Sequence, residues 1–344
     1  MLIYWILFIG FAAGALIERP TRFDPILWIG GLLMALIIGL RFHVGADWIP
    51  YAEMFTYSGR ISFAHAASLS DPAYFVLNWG VHRIGGQFWM VNTICGLIFV
   101  FGLIRFARTQ ERPWLTIVVA VPYLVVVVAM GYTRQSVAIG VILAGLASYL
   151  NDRSVMKLAI YFFVASLFHK TALVAFPLIC VGTSRNMLIG VATVTAVTYL
   201  MYNKFLSTHV DLLIRNYIDV AYSSQGAGIR IGITVVAATL FFANRTNLGF
   251  NDTERAVWRN FSVASFVLLA MLWIVPSSTA VDRLALFVIP LQLAVLPRAW
   301  KGRMTAAVGV ITVTVYSAAV LFAWLNFAVH AKYWLPYQVY PLTT

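Results

Sequence analysis

Between Arg112 and Arg134 the chain carries no charged side chain, and "WLTIVVAVPYLVVVVAMGYT" within that interval is almost wholly apolar. This length and character match the roughly 20 residues a helix needs to cross the hydrocarbon core of a bilayer. The run has company. Allowing for tilt and for flanking side chains that reach the interface, about twelve such runs can be marked. They cover residues 2–17, 25–40, 87–104, 114–131, 135–150, 156–168, 171–183, 187–202, 231–243, 258–275, 282–297 and 304–328. The shortest two, 156–168 and 171–183, fall below a full span, so the expected count is about 10 to 14 crossings. A water-facing surface does not tolerate 61% hydrophobic and only 10% charged residues. The chain therefore reads as an all-α polytopic membrane protein, a single domain over residues 1–344, since no stretch outside the runs is long enough to bury a core of its own.

Smaller features fit this frame. Cys95 and Cys180 lie inside apolar runs without metal or redox spacing, and read as small core residues. The apolar N-terminus lacks a basic leader region, which favours a first membrane helix over a cleaved signal. "GFAAG" at residues 10–14 matches a small-xxx-small contact between helices. Two longer polar segments, residues 41–86 and 204–230, are expected as outer loops, the first carrying amphipathic helices.

Orientation follows from the placement of lysine and arginine in short loops. With both termini outside, purely basic connectors such as "PRAWKGRM", together with Arg105, Arg108, Arg112 and Arg255, face the cytoplasm, and all six histidines face outward. The net charge of +12 is then partly a topology signal. No basic stripe interleaved with aromatics occupies a soluble segment, which argues against nucleic acid as a partner.

In this orientation three cationic sites stand at outer ends where spans begin: Arg134 in "GYTRQSVAIG", His169 and Lys170 in "LFHKTAL", and Asp282 with Arg283 in "STAVDRLAL". A helix N-terminus carries partial positive charge and disfavours added cations. Three such placements on one face suggest that an external anion is gathered there, as discontinuous membrane helices gather anionic substrates. Taken singly, each has a plainer reading: Arg134 and Lys170 snorkel to lipid phosphates, and Asp282 caps a helix beside a local partner.

The 41–86 segment supplies acids. In "GLRFHVGADWIPYAEMF", Asp47 and Tyr51 are four apart and share one face of a helix, with Trp48 alongside. "LSDPAYFVLNWGVHRIGG" reads as Asp71 at an N-cap, Pro72 at the first helical position and a short amphipathic helix. For Asp71 alone, capping is the favoured explanation. Arg41 sits at an outer helix C-terminus, where a cation is structurally favourable in its own right.

Together, "GLRFHVGADWIPY", "DPAYFVLNW", "GYTRQSVAIG", "ASLFHKTALV", "DRLALF" and "YWLPY" resemble the EpsG-like, Wzy-type membrane polysaccharide polymerases. The resemblance runs from about residue 35 to about residue 290, with a weaker echo at the C-terminus. It implies a C-type membrane glycosyltransferase fold and a multi-pass protein of the bacterial inner membrane. It also implies polymerisation of oligosaccharide repeat units carried on undecaprenyl diphosphate, at a site facing outward. Partners would then be the lipid-linked oligosaccharide, the bilayer, and in the same pathway a flippase and a chain-length regulator. It places Arg41, Asp47, Tyr51, Arg134, Gln135, His169 and Lys170 at the active site.

The chemistry of such a transfer suits these residue types. A diphosphate that gains negative charge as it leaves is met by cations, and guanidinium can grip phosphate in a bidentate manner. Arg41, Arg134, Lys170 and Arg283 are the candidates for that role. Tyr51, Asp71, Gln135, Trp48 and Asp282 are candidates to touch sugar, as are the loop aromatics Tyr74, Trp79 and Trp89, unless these form an interfacial belt. A general base near the acceptor hydroxyl contributes about 100- to 10,000-fold, and Asp47 is favoured over His169. Neither a D-x-D pair nor H-x3-H or HExxH spacing is found on the outer side, so the expectation is a site without metal or cofactor. Two other classes stay open: a lipid-linked oligosaccharide flippase, and an O-antigen ligase or membrane acyltransferase.

Overall fold

The computed structural model describes residues 1–18, 24–181, 195, 199, 226–302 and 304–342. The run expected over 187–202 and most of the polar segment 204–230 lie outside the described residues. The helices α1 (Leu2–Ile17), α2 (Pro25–Gly39), α3 (Trp48–Ser58), α4 (Phe63–Ser68), α5 (Pro72–Arg83), α6 (Phe88–Ala107) and α7 (Pro113–Ala120) come first. They are followed by α8 (Thr133–Asp152), α9 (Val155–Phe168) and α10 (Phe176–Cys180). Beyond the undescribed stretch come α11 (Ala227–Asn244), α12 (Asp252–Ile274), α13 (Ser278–Ala285), α14 (Pro290–Val295) and α15 (Ala306–Phe327). The protein is a multi-pass, helical membrane chain. Six segments among the described residues are long and apolar enough to cross a bilayer: α6, α8, α11, α12, the stretch Ser278–Arg298 and α15. Leu2–Ile17, Pro25–Gly39, Pro113–Ala129, Val155–Phe168 and Lys170–Cys180 are apolar but shorter.

Two compact units divide the chain, one from Met1–Ala147, Tyr161–Lys170 and Val310–Thr344, the other from Ser148–Ile160 and Thr171–Gly309. The first is organised around α7. Every residue from Trp114 to Met130 is buried, which is how a helix apolar on all sides must pack. From Val121 to Ala129 this helix widens to π-type winding, starting where Pro122 withdraws a backbone donor. Its other end is held by two carboxylates. Glu18 Oε1 accepts the Trp114 backbone N–H at 3.1 Å, and Asp24 Oδ2 accepts the Trp114 indole N–H at 2.6 Å. Asp24 also caps α2 by accepting the Leu27 N–H, with Pro25 at the first helical position.

Close backbone approach decides which glycines matter here. A Cβ on Gly102 of α6 would strike the Gly140 carbonyl oxygen of α8, so these helices meet backbone to backbone. In "GFAAG", Gly14 packs under the Trp114 ring of the same chain, while Gly10 faces open space. One feature departs from an all-helical reading: β1 (Arg41–Phe42) pairs antiparallel with β2 (Gln338–Val339), Arg41 opposite Val339. A pair of two-residue strands leaves no periodicity to read.

In the second unit α11 packs against α12. A capping box starts α12: Asn251 Oδ1 accepts the Glu254 N–H at 3.0 Å and Glu254 Oε2 accepts the Asn251 N–H at 2.9 Å. The two cysteines are free and buried, Cys95 in the first unit and Cys180 in the second.

Candidate active site

The polar segment after α2 folds into three short helices, α3 to α5, and a loop that fixes their start. This loop has strict local requirements. His43 adopts φ +52° and Gly45 φ +106°, a left-handed region that glycine occupies without penalty. A Cβ on Gly45 would meet the Met130 carbonyl oxygen at the end of the central helix. The Gly45 N–H donates to the Tyr333 carbonyl at 2.9 Å, so early and late parts of the sequence are tied at this point. His43 then stacks on Trp48, their centroids 4.1 Å apart.

Arg41 emerges beneath this loop and is only 2% exposed. Its Nη1 donates to the Ile38 carbonyl at 2.5 Å, the helix C-terminal contact its position favoured. Its Nη2 reaches Asn92 Oδ1 at 3.2 Å and Thr133 Oγ1 at 2.8 Å. All three partners are neutral. Burial pulls the Arg41 pKa below its usual value, yet guanidinium stays protonated in proteins, so among the described residues no carboxylate is paired with its charge.

Thr133 begins α8, and Arg134 follows. Its Nη1 donates to Asp71 Oδ2 at 2.5 Å, and its guanidinium lies over the Tyr51 ring, 5.6 Å from the centroid. The Tyr51 hydroxyl accepts the Arg134 backbone N–H at 3.4 Å. Asp71 Oδ1 accepts the Lys170 backbone N–H, also at 3.4 Å. One carboxylate thus holds the start of α8 and the start of the 3-10 turn Lys170–Ala175. Burial pushes the Asp71 carboxyl above the ordinary carboxylate range, opposed by Arg134 and by the Lys170 N–H. Burial likewise raises the Tyr51 hydroxyl, with Arg134 pulling it back and Asp47 adding to the rise. Below the cluster Tyr51, Tyr74, Val81, Val91, Cys95 and Val137 form a packed core joining α3, α5, α6 and α8.

Several expectations change on this geometry. Asp71 stands at the N-cap position of α5, with Pro72 next, but its side chain makes no capping bond; the carboxylate is spent on Arg134 and Lys170 instead. The anion gathered at the start of α8 therefore includes one supplied by the chain itself. Asp47 precedes α3 without capping it, and Tyr51 follows one turn later, its N–H donating to the Asp47 carbonyl at 3.1 Å. Gln135 is buried beside Arg134, and His169 is half-buried between α9 and the 3-10 turn Lys170–Ala175.

The helix expected to begin at Asp282 begins earlier, at Ser278. Ser277 caps α13 by accepting the Ala280 N–H, which puts Arg283 in the last turn of α13. Within the membrane-crossing stretch Ser278–Arg298, Asp282 and Arg283 lie about one turn past the start. Both residues belong to the second unit, where Asp282 takes a two-pronged grip from Arg230, Nε to Oδ1 at 2.8 Å and Nη2 to Oδ2 at 2.5 Å. Arg230 was not singled out in the sequence; its signal was a charge in the first turns of an apolar helix, in "GIRIG". Among the described residues no group of three or more His, Cys, Asp or Glu is placed to hold a metal ion.

The family model of EpsG matches residues 26–339, nearly the whole chain. The chain belongs to the EpsG family. No curated protein and no solved structure matches it. The EpsG match takes in every residue of the Arg41, Tyr51, Asp71, Arg134 and Lys170 cluster, and it ends at Val339, the residue opposite Arg41 in the strand pair. EpsG membership and the multi-pass helical build together place the chain in membrane polysaccharide biosynthesis, in a polymerase-like role.

Proposed function

We propose that this EpsG-family chain is a metal-independent polysaccharide polymerase. It moves a growing glycan from undecaprenyl diphosphate to the sugar of a lipid-linked repeat unit, at the outer face of the bacterial inner membrane. About twelve crossings and a C-type glycosyltransferase architecture accompany this reading. The observation that carries it is the joining of Arg41, Arg134, Tyr51 and Asp71 in one cluster, where Arg41 has only neutral partners among the described residues. Such a site has positive charge left over for a phosphate.

The step is a displacement. An acceptor hydroxyl oxygen bonds to the anomeric carbon as the carbon–oxygen bond to the diphosphate breaks, and the electron pair leaves with the diphosphate. Arg41 and Arg134 stabilise the charge that develops there, a role in which one well-placed donor contributes about 2–4 kcal/mol. The hydroxyl proton passes to Asp47, with His169 as the second candidate base. Asp71 fixes Arg134 in orientation, and Tyr51 covers it with an aromatic face.

Analysis of the lipid-linked intermediates that accumulate in cells lacking the protein tests this function. Single repeat units on lipid at the outer face, converted to polymer when the gene is restored, are the expected result. Units trapped at the inner face would replace the reading with a flippase, and polymer that forms but is not passed to its final acceptor would replace it with a ligase.

A further inference from the structure

The segment after α15 carries "YWLPY", residues 333–337, to which the transfer chemistry gives no role. It folds back over the first unit, and what it holds there is backbone. The Tyr333 carbonyl accepts the Gly45 N–H at 2.9 Å, and the Tyr340 N–H donates to the Leu40 carbonyl at 2.8 Å. The Tyr337 hydroxyl donates to the Ile37 carbonyl at 2.5 Å. These contacts bracket Arg41, whose own strand partner is Val339.

Trp334 lies at the centre of this segment and is 1% exposed. Its indole N–H donates to the Val126 carbonyl at 2.7 Å. In regular α winding that carbonyl would accept the Met130 N–H. At the end of the π-type segment Met130 bonds Val127 instead, which leaves room on the Val126 oxygen for the indole, as helix-end carbonyls need. The same ring closes on Gly131, where an added Cβ would stand 2.8 Å from it, and it meets Trp324 of α15 edge-on at 4.8 Å. The Trp334 carbonyl accepts the Tyr4 hydroxyl at 2.8 Å. Gly131 stands just before Thr133, which accepts from Arg41, and Arg134.

We infer that Trp334 is a positioning residue for the two site arginines. Arg41 stands on one stretch of chain, residues 37–45, and Arg134 follows another, the end of the central helix from Val126 to Gly131. Filling a core takes only volume. A segment that bonds the backbone of both stretches fixes where each stands relative to the other, and residues 333–340 do this with Trp334 at the junction. Trp334 thus sets the spacing of the two guanidinium groups without itself touching substrate. The inference rests on the polymerase reading for what the arginines do, and on the geometry alone for how they are placed.

Two variants of the full-length chain test this from opposite sides of one contact. Trp334→Phe keeps an aromatic ring and removes the bond to Val126. Gly131→Ala leaves Trp334 intact and crowds its ring, and it serves as the test if Trp334→Phe does not fold. Both are purified in detergent and read by backbone hydrogen exchange, thermal melting and polymerisation of lipid-linked repeat units. Exchange should rise in residues 40–47 and 130–135 and stay unchanged in α11 and α12. Melting temperature should fall by only a few degrees, as for one lost hydrogen bond. Turnover should drop by about tenfold or more while KM for the lipid-linked unit stays within about twofold, because misplaced groups slow the reacting step more than they weaken binding. Unchanged exchange in both stretches overturns the inference. So does a rise spread through α1, α2 and α6 with a large loss of melting temperature, which makes Trp334 packing alone, and so does normal turnover despite the local rise. Exchange needs no turnover, so a wild-type protein that makes no polymer, with variants that show the local pattern, keeps the positioning role and loses the polymerase.

Discussion

Arg134 and Asp71 are 63 residues apart in sequence and 2.5 Å apart in space, and local reading had a sufficient explanation for each alone. Asp71 before Pro72 looks like a cap, and an arginine at a membrane end looks like a snorkel; nothing nearby signals the partner. The pair changes what substitution does. Removing one member of a fully buried ion pair costs about 3–5 kcal/mol because the other is left uncompensated, and this part-buried pair sets a smaller loss. Arg134→Ala should therefore lower thermal stability in detergent as well as abolish polymer on a gel, whereas Asp71→Asn combined with Arg134→Gln should recover much of the stability and none of the polymer. Arg134→Lys keeps one ion pair with Asp71 but loses the planar fork, so it should fold near normally and still impair polymer length. Full-length polymer from the lysine variant would remove Arg134 from the diphosphate role. Asp47→Asn, which keeps shape but not basicity, should fold normally and drop turnover by about 100-fold or more; normal turnover, together with an inactive His169→Ala, transfers the base to the histidine. Because burial raises the Asp71 carboxyl, it takes up its proton at a higher pH than an ordinary aspartate. Activity that needs the ionised pair should then fall on acidification before ordinary carboxylates titrate, as a pH–rate profile measures.

The helices were legible because apolar runs of this length have few alternatives, and the described runs recur within a few residues of their expected bounds. What escaped was how elements are fastened. Gly45 holds the turn after β1 against Met130, yet in the sequence it is only a glycine before an alanine and an aspartate. Gly45→Ala demands both a left-handed backbone and a Cβ where the Met130 oxygen stands, so a loss of about 1–3 kcal/mol is expected, together with loss of polymer. Gly10→Ala meets nothing within 4 Å in α1, and alanine there should be neutral or stabilising by up to about 1 kcal/mol. A thermal shift series compares the two, and a Gly45 variant as stable as the Gly10 variant would contradict this account of the loop. The clamp on Trp114 is pH-sensitive. Burial pushes Glu18 from an ordinary value near 4.5 up to about 7. With the folded value the higher one, folding favours the protonated acid: its stabilising contribution is complete below the unfolded value and is lost as pH rises through 7. Melting temperature should fall between about pH 5 and pH 8, and Glu18→Gln, which retains the acceptor for the Trp114 N–H, should flatten that slope.

The placement of the cluster relative to the bilayer decides whether a lipid-linked glycan can reach it, and this is a property of the entire chain. Helix α6 is long and apolar enough to cross once. It begins at Phe88, directly after the α3–α5 segment that supplies Tyr51 and Asp71, and ends at Ala107, directly before Arg108. Residues on either side of α6 must therefore report opposite faces. The basic side chains Arg105, Arg108 and Arg112 crowd the far end, where the bias toward a positive cytoplasmic face puts the inside. His65, in α4, should accordingly lie outside with the cluster, and so should His330, just beyond α15. Arg255, in the first turn of α12, should lie inside. Single cysteines at 65, 330, 108 and 255, introduced after Cys95 and Cys180 are replaced, can be challenged in intact cells with a membrane-impermeant thiol reagent. Labelling at 65 and 330 without labelling at 108 and 255 is expected. If 108 labels and 65 does not, the Arg41 and Arg134 cluster faces the cytoplasm, where repeat units are assembled rather than joined, and the polymerase reading fails with it.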